Sequence, residues 1–370
     1  MRFSVITVVY NAVDTIEKTI NSVLSQEDDA HIEYIVIDGG STDGTVDIIR
    51  KYEKRLAYWV SEPDKGIYDA MNKGLYHATG DIVSFINSGD VYLEKTFSKV
   101  ADYFCKNPQI DILCGDVYIS NAGTLKRRTR RKFDDVNQLR TGQMLYCHQG
   151  IFSRRDRFEG GFDVTYSISS DYEWLLRNYY QKARIVYASD FLAIFANDGV
   201  SYKNRIELIR QARKIAHDKN QEAFEKNCIS RDEYDDIEEK ITFNMKNAII
   251  DACDSSHVCI DDEIIKEYMN KSVAIFGTGD FGTKCIILLR KCGVEPKMAF
   301  DNDIKKVGSF CHDVPIKGLE YLKKADVIFI TSMFFSEDIY SQLIDLGISK
   351  EKVCFSTLLF DMVGLTFDVE

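Results

Sequence analysis

The chain has 370 residues, which exceeds the size of an ordinary single domain and predicts two or three domains. With 45% hydrophobic and 28% charged residues, its composition is that of a globular protein with a full core, not a disordered or fibrous one. The formal net charge of -11 argues against a general nucleic-acid-binding protein, because such proteins need a basic surface.

The sequence gives no sign of export or of a membrane span. Residues 1–7 begin directly in a strand-like run, without the charged and apolar segments of a signal peptide. No run approaches the 18 apolar residues of a membrane helix. The ten cysteines include no Cys-x-x-Cys pair, so neither a metal cluster nor a redox motif is expected. We therefore expect a cytoplasmic protein.

The first 90 residues alternate apolar runs with helical patterns. Strand-like runs cover residues 4–9, 34–37, 56–60 and 82–86, and amphipathic patterns lie between them. This alternation predicts an α/β fold with a parallel sheet covered by helices. Ligands bind at the carboxyl ends of the strands in such sheets, so we expect the functional residues directly after these runs.

The middle of the chain changes character twice. Residues 112–152 show shorter, more β-like runs, and residues 205–224 are strongly helical. Another helix begins at Ser230, where Ser230 and Glu233 have the spacing of a capping box. Because residues 226–270 carry 12 acidic and 5 basic side chains, we expect an acidic helical connector there.

A new strand-turn-helix pattern opens the last hundred residues. A strand-like run precedes Gly277, Gly279 and Gly282, a helix follows, and the next strand ends at Asp301. This is the dinucleotide fingerprint, in which a pyrophosphate lies on the helix N-terminus and the acid binds a ribose hydroxyl. The segment has no second mononucleotide-binding half and no evident hydride-transfer residue. Binding of NAD or another nucleotide and a structural or assembly role are therefore both compatible with it.

We accordingly expect three segments. Residues 1–225 form the first domain, residues 226–270 the acidic connector and residues 271–370 a small Rossmann-like βαβ domain.

An acidic, glycine-rich turn follows the second strand-like run. Asp38 stands at the end of the run and Gly39, Gly40 and Ser41 follow it. An acid there can accept hydrogen bonds from a base edge or a ribose, and glycines let the backbone approach a ligand. The alternative is an ordinary strand-to-helix turn with a capping side chain.

Polar side chains are dense over residues 62–74. Asp69, Asn72 and Lys73 have helical i, i+3, i+4 spacing and so share one helix face, close to Lys65. This pattern is typical of a ligand-binding face, and a solvated helix is the alternative.

The run of residues 82–86 ends in Asn87-Ser88-Gly89-Asp90. A carboxylate at a strand end can hold a divalent metal against a diphosphate, although one acid alone also suits a turn.

Taken in order, these pieces resemble the family 2 glycosyltransferases, which have the GT-A nucleotide-sugar fold. The resemblance covers roughly residues 1–200 and rests on Tyr10-Asn11, the Asp38 turn, residues 61–74 and Asn87-Ser88-Gly89-Asp90. It implies an inverting transferase that moves a sugar, most simply from a UDP-sugar, to a glycan or a lipid-diphosphate-linked acceptor. The family branch builds capsule, exopolysaccharide or O-antigen chains, with the enzyme at the inner membrane face or free in the cytoplasm.

The resemblance also implies roles for individual residues. Asp38 would bind the nucleotide with Tyr10 near the base, and Lys65 would face the donor together with Asp69, Asn72 and Ser88. Asp90 would hold Mn²⁺ or Mg²⁺ through the family's Asp-x-Asp element. The sequence departs from the family here, because Asn87 or Ser88 replaces the first acid, which puts strict metal dependence in doubt.

The resemblance places the catalytic base in Ser169-Ser170-Asp171. Asp171 would remove the proton of the acceptor hydroxyl as that hydroxyl attacks the anomeric carbon, and Glu173 is the reserve candidate. Position 171 also suits a helix cap, and both roles are compatible. His148 would lie on the acceptor side, although a lone histidine is more often structural.

One basic run stands out, with six cations between Lys126 and Lys132. It suits either an anionic membrane surface or a solvated hairpin edge. A homo-oligomer is also compatible with the sequence, whereas nucleic acid is not an expected partner. The rival functions are a degenerate transferase that serves as a nucleotide-binding scaffold and an NAD-dependent sugar-modifying enzyme centred on Gly277.

Overall fold

The structure is a computed structural model that describes residues 1–27, 30–121, 124–128, 136–196, 205–241, 268–331 and 336–355. It divides the chain into two compact units, Met1–Ile241 and Thr242–Glu370. Most of the expected connector and residues 129–132 of the basic run lie outside the described residues.

The first unit is built on one mixed sheet. Its strands are β1 (Arg2–Val9), β2 (His31–Asp38), β3 (Tyr58–Ser61), β4 (Ile82–Phe85), β5 (Val91–Tyr92), β6 (Ile112–Asn121), β7 (Thr124–Arg128), β8 (Ile151–Arg154) and β9 (Ile185–Ala196). Their order is β3-β2-β1-β4-β8-β6-β9-β5, and β7 pairs with β6. The first four strands are parallel, which confirms the predicted parallel sheet, and β8 lies antiparallel between β4 and β6.

Helices cover both faces of this sheet. They are α1 (Ile16–Leu24), α2 (Thr45–Lys51), α3 (Ile67–His77), α4 (Thr96–Lys106), α5 (Ser170–Tyr180), α6 (Arg205–Glu225) and α7, described over 231–241. Short 3₁₀ helices occupy Glu53–Arg55, Val136–Thr141, His148–Gly150 and Arg155–Phe158.

Successive side chains along the strands pack into two separate hydrophobic cores. Ile6 and Ile35 face the core that contains Trp174, whereas Val5 and Val36 face the core that contains Ile20. Because successive side chains of a strand point to opposite faces, a strand covered on both sides is apolar throughout. The continuous apolar runs of the sequence follow from this arrangement.

Helix α7 packs into the first unit. The hydroxyl of Ser230 accepts a hydrogen bond from the backbone N–H of Glu233 at 3.2 Å, which is one half of the predicted capping box. The Glu233 carboxylate pairs with Arg140 instead of completing the box. Ile237 and Ile241 are buried in the same core as Trp174, so the unit extends past the expected boundary at residue 225.

The second unit contains a small parallel sheet and a separate pair of short antiparallel strands. Its strands are β10 (Val273–Phe276), β11 (Met298–Phe300), β12 (Phe310–Cys311), β13 (Val314–Pro315), β14 (Val327–Ile330) and β15 (Val353–Phe355), and its helices are α8 (Asp280–Lys291) and α9 (Ser336–Asp345). The order β11-β10-β14-β15 is parallel throughout, and β12 and β13 form a separate antiparallel pair. The glycine-rich turn joins the central strand β10 to α8, where the sequence predicted it.

Among the residues that the structure describes, no helix combines the length and the apolar character needed to cross a bilayer.

Candidate active site

The loops after β1 and β2 are bound to each other at the carboxyl end of the sheet. The backbone N–H of Asn11 donates to the hydroxyl of Ser41 at 2.7 Å, and that of Thr42 donates to Asn11 Oδ1 at 2.9 Å. Asn11 has a φ of +46°, a conformation that asparagine tolerates better than most residues. The two loops therefore form one wall of the site.

Asp38 lies inside this wall and not on its surface. Its side chain is 0% exposed, and its carboxylate accepts hydrogen bonds from the backbone of Gly40 and Ser41 and from the hydroxyls of Ser41 and Ser61. With both oxygens engaged, Asp38 shapes the glycine-rich loop. Contact between Asp38 and the nucleotide stays a prediction, and in this structure the carboxylate is engaged by its own turn and by Ser61.

Asp64, in the segment after β3, lies beside this wall and has one carboxylate oxygen that is not engaged by a described residue. Its Oδ1 accepts from the backbone N–H of Gly66 at 2.8 Å, while Oδ2 forms no hydrogen bond with a described residue. A β-carbon added to Gly39 would stand 2.5 Å from this Oδ2 and 3.4 Å from Tyr10 Cδ2. Tyr10 is 65% exposed. The absence of a side chain at Gly39 thus brings Asp64 and an exposed aromatic ring together.

The segment before α3 is ordered by its own acids. Asp69 Oδ2 accepts a hydrogen bond from the backbone N–H of Lys65 at 3.1 Å. The Lys65 side chain is exposed, and its ammonium forms no ion pair with a described residue. Lys73 is different, because its ammonium lies 2.8 Å from the Glu62 carboxylate. The hydrogen bond to Glu62 raises the pKa of Lys73. Lys65 is therefore the cation of this segment that is available to a ligand.

Asn72 serves the framework. Its Nδ2 donates to the Phe162 carbonyl at 2.8 Å, and its Oδ1 accepts from the Phe162 N–H at 2.8 Å. Asn72 thus holds the segment before α5, and the expected donor contact of Asn72 stays a prediction.

The loop after β4 buries the proposed metal ligand. Asp90 is 3% exposed, and its oxygens accept from Gln149 Nε2 at 2.7 Å and from the backbone N–H of Ala196 at 2.8 Å. No cluster of three potential metal-ligating side chains occurs in the described part of the chain. A buried carboxylate with both oxygens hydrogen-bonded does not fit a Mn²⁺ or Mg²⁺ ligand, which needs an accessible oxygen. Asp90 joins three loops instead.

Ser88, expected beside the donor, also makes a local contact. Its hydroxyl lies 3.1 Å from that of Thr15, and its backbone N–H donates to the carbonyl of Val8 at 3.2 Å. It therefore fixes the β4 loop against the end of β1.

Asp171 presents one engaged and one accessible oxygen at the start of α5. Oδ1 lies 2.9 Å from the Tyr68 hydroxyl and accepts from the backbone N–H of Tyr172 at 2.9 Å. Oδ2 faces His148 Nδ1 at 3.5 Å, which is longer than an ordinary hydrogen bond. The side chain is 20% exposed. Asp171 is thus a partly exposed carboxylate with one oxygen held by two hydrogen bonds.

His148 connects Asp171 with the β4 loop. Its Nε2 lies 3.0 Å from Asn87 Nδ2, and with the amide in this orientation Nε2 accepts, so a neutral imidazole would carry its proton on Nδ1, toward Asp171. Asn87 Oδ1 is buried without a hydrogen-bond partner among the described residues. The opposite orientation of the amide would pair this oxygen with a protonated Nε2. Either way, Asn87, His148 and Asp171 form a continuous polar row.

Glu173, the reserve base, is committed elsewhere. Its buried carboxylate is paired with Lys219 Nζ at 3.0 Å and with Arg177 Nε at 3.2 Å. It ties α5 to α6 and has no oxygen that faces the site.

An apolar cavity lies directly beside the polar row. Its walls are aromatic and aliphatic apart from two polar groups, and they comprise Phe85, Ile151, Phe158, Phe162, Trp174, His148 and Asp171. Apolar walls around a carboxylate keep water away from it, which strengthens its electrostatic interactions.

The second unit shows the backbone of the fingerprint. Gly277 has a φ of +112°, and a β-carbon on Gly282 would overlap the Gly277 carbonyl, while Gly279 faces open space. The Asp301 carboxylate accepts from Thr278 and Lys306. Burial opposes its ionisation, but these hydrogen bonds prevail and lower the pKa of Asp301 to about 2. A ribose hydroxyl would compete with these contacts, and nucleotide binding here stays a prediction.

Sequence reasoning assigned no role to two residues of the site, Asp64 and Tyr68. Asp64 lies in the polar stretch that the sequence singled out, directly before Lys65-Gly66, so a turn-forming acid was visible there. Tyr68 carries no comparable signal, because its partner Asp171 is 103 residues away.

Comparison with known proteins agrees with this geometry. Residues 4–162 match the Glycosyl transferase family 2 model, and residues 269–354 match a C2185-like, N-terminal model. An uncharacterized glycosyltransferase of Mycobacterium tuberculosis is 34% identical over 177 residues, which cover 47% of this chain and 67% of that protein. A PGL/p-HBAD biosynthesis glycosyltransferase of Mycobacterium bovis is 29% identical over 184 residues, covering 47% and 68%.

The fold comparison points the same way. The structure of S. aureus TarS 1-349 in complex with UDP-GlcNAc matches with a TM-score of 0.53 and 19% identity, over 65% of this chain and 72% of that one. The likeness concerns the fold, and the first unit accordingly has the GT-A architecture. Together with the sequence relatives, these matches show that the chain belongs to glycosyltransferase family 2.

Proposed function

We propose that this glycosyltransferase moves a sugar from a nucleotide sugar, with UDP-sugars as the first candidates, to a hydroxyl of a glycan or a lipid-linked acceptor, with inversion. The observation that carries the proposal is Asp171, whose Oδ1 is held and whose Oδ2 is accessible. The surface-polysaccharide setting is part of the proposal, and the related protein named as a PGL/p-HBAD biosynthesis glycosyltransferase supports the sugar transfer itself.

The donor wall suits a nucleotide. Tyr10 offers an aromatic face, and Asp64 Oδ2 is an acceptor of the kind that a base N–H requires. The exposed ammonium of Lys65, the residue directly after Asp64, would neutralise part of the diphosphate charge. Asp38 contributes by fixing the loop against which these groups stand.

The transfer step then uses one proton acceptor. The acceptor hydroxyl gives its proton to Asp171 Oδ2 while its oxygen bonds to the anomeric carbon, and the bond from that carbon to the diphosphate oxygen breaks. His148, 3.5 Å from Oδ2, orients the carboxylate and stabilises its charge. Mn²⁺ or Mg²⁺ would stabilise a departing diphosphate in this family, but Asp90 does not fit as its ligand and no step is assigned to it.

Asp171→Asn tests the base. The substitution keeps the shape and the contact with Tyr68 but removes the proton acceptor, so the transfer rate should fall at least a thousandfold. Donor affinity, measured by calorimetry with a panel of UDP-, GDP- and dTDP-sugars, should stay within about threefold.

Asp163→Asn is the matched control, because Asp163 lies in an exposed turn of the same segment and, among the described residues, its carboxylate accepts hydrogen bonds from Thr165 alone. Transfer by Asp171→Asn at the control's rate would remove Asp171 as the base. Tight donor binding without transfer to any acceptor in the unsubstituted protein would favour the scaffold alternative.

A further inference from the structure

Helix α3 reaches across to the segment that carries the base. Tyr68 and Asn72 lie four residues apart and so share one face of α3. Asn72 holds the backbone of Phe162, and the Tyr68 hydroxyl lies 2.6 Å from the Ile168 carbonyl and 2.9 Å from Asp171 Oδ1. One helix face therefore contacts this segment in two places, and the second contact ends on the base.

The Tyr68 hydroxyl is a permanent donor. The side chain is only 6% exposed. Burial, followed by the charge of Asp171, raises the pKa of Tyr68 well above its usual value. The phenol therefore keeps its proton at neutral pH and can donate it to Ile168 O and to Asp171 Oδ1.

We propose that Tyr68 is a positioning residue for glycosyl transfer, which holds Oδ1 of Asp171 so that Oδ2 faces the acceptor hydroxyl. The inference rests on the proposed role of Asp171 as the base. The terminal torsion of an aspartate is broad, so a carboxylate without side-chain partners presents either oxygen. The backbone N–H of Tyr172 also binds Oδ1, and the two donors together make the oxygens unequal.

This role predicts an effect on turnover rather than on donor binding. Among the described residues, the Tyr68 hydroxyl has its hydrogen-bond partners in the Ile168 carbonyl and Asp171 and not in Tyr10 or Asp64 of the donor wall. A hydrogen bond to a charged group contributes enough that its loss should lower kcat about tenfold to hundredfold. The KM for the donor should change less than about twofold.

The experiment compares Tyr68→Phe with Tyr34→Phe. Each variant loses one buried phenol hydroxyl, and among the described residues the hydroxyl of Tyr34 has Thr7 as its one hydrogen-bond partner, at 3.0 Å within the sheet. Tyr34→Phe should keep kcat within about twofold even where its Tm falls. Equal losses of kcat in the two variants would show a purely structural effect and overturn the proposal.

Asp171→Asn separates this inference from the proposed function. If Asp171→Asn keeps most of the activity, Asp171 is not the catalytic base, and the proposed function fails with that assignment. If Asp171→Asn is inactive while Tyr68→Phe keeps the full kcat, only the positioning role is wrong. In the double variant, Tyr68→Phe should lower the residual rate less than about twofold, because the carboxylate that Tyr68 positions is absent. A further tenfold loss there would show that Tyr68 acts independently of Asp171.

Discussion

The two units place an acid at a strand end in different ways. Asp38 after β2 is fully buried and gives its oxygens to its own turn, while Asp301 after β11 binds Thr278 and Lys306. In the first unit, other acids are less fully engaged: Asp64 Oδ2 forms no hydrogen bond with a described residue, and Asp171 Oδ2 lies 3.5 Å from His148. An acid at a strand end thus organises a loop in both units, and in the first unit the acids that we propose for binding and transfer are different ones.

The largest effect among the tests of this difference is expected from Asp38→Ala, which should destabilise the first unit. It removes the charged acceptor of four hydrogen bonds from the part-buried donors of Gly40, Ser41 and Ser61, so the free energy of unfolding of the first unit should fall by about 3 kcal/mol. Both tryptophans, Trp59 and Trp174, belong to that unit, so tryptophan fluorescence in urea monitors it alone. An unchanged urea midpoint would contradict the structural role of Asp38.

Asp301→Asn should act in the second unit and with a defined pH dependence. Because the folded pKa of about 2 lies below the ordinary value of 3.8, ionised Asp301 stabilises the unit above pH 4, and this contribution of about 2 kcal/mol is lost as the pH falls toward 2. Hydrogen exchange of the β10 amides should therefore be faster in Asp301→Asn at pH 7. The difference from the unsubstituted chain should narrow toward pH 3, and a constant difference would count against the ion pair.

The smallest expected effect is that of Gly39→Ala. The new β-carbon would stand 2.5 Å from Asp64 Oδ2 and displace that side chain, so the donor KM should rise about tenfold while the Tm changes little. In an Asp64→Ala background the substitution should have no further effect on KM. A full tenfold rise in that background would show that Gly39 serves the donor without Asp64.

The fold was predictable because its signals are local. The apolar runs of β1 to β4 need no knowledge of distant residues, and the same holds for the strand-turn-helix pattern around Gly277. The hydrogen-bond partners of each carboxylate were not predictable in the same way. Asp90 takes its partners from Gln149 and Ala196, which are 59 and 106 residues away. Motif position indicated where acids would gather, but only the folded loops decide which oxygens stay accessible.

The paired bonds between Asn72 and Phe162 have a consequence for sequence choice. A primary amide that donates to a carbonyl and accepts from the N–H of the same residue imitates the edge of a neighbouring strand. Aspartate would lose the donor, leucine would lose both bonds, and glutamine would place the amide one methylene too far. A library randomised at position 72 and sorted for folded protein should therefore return asparagine almost alone.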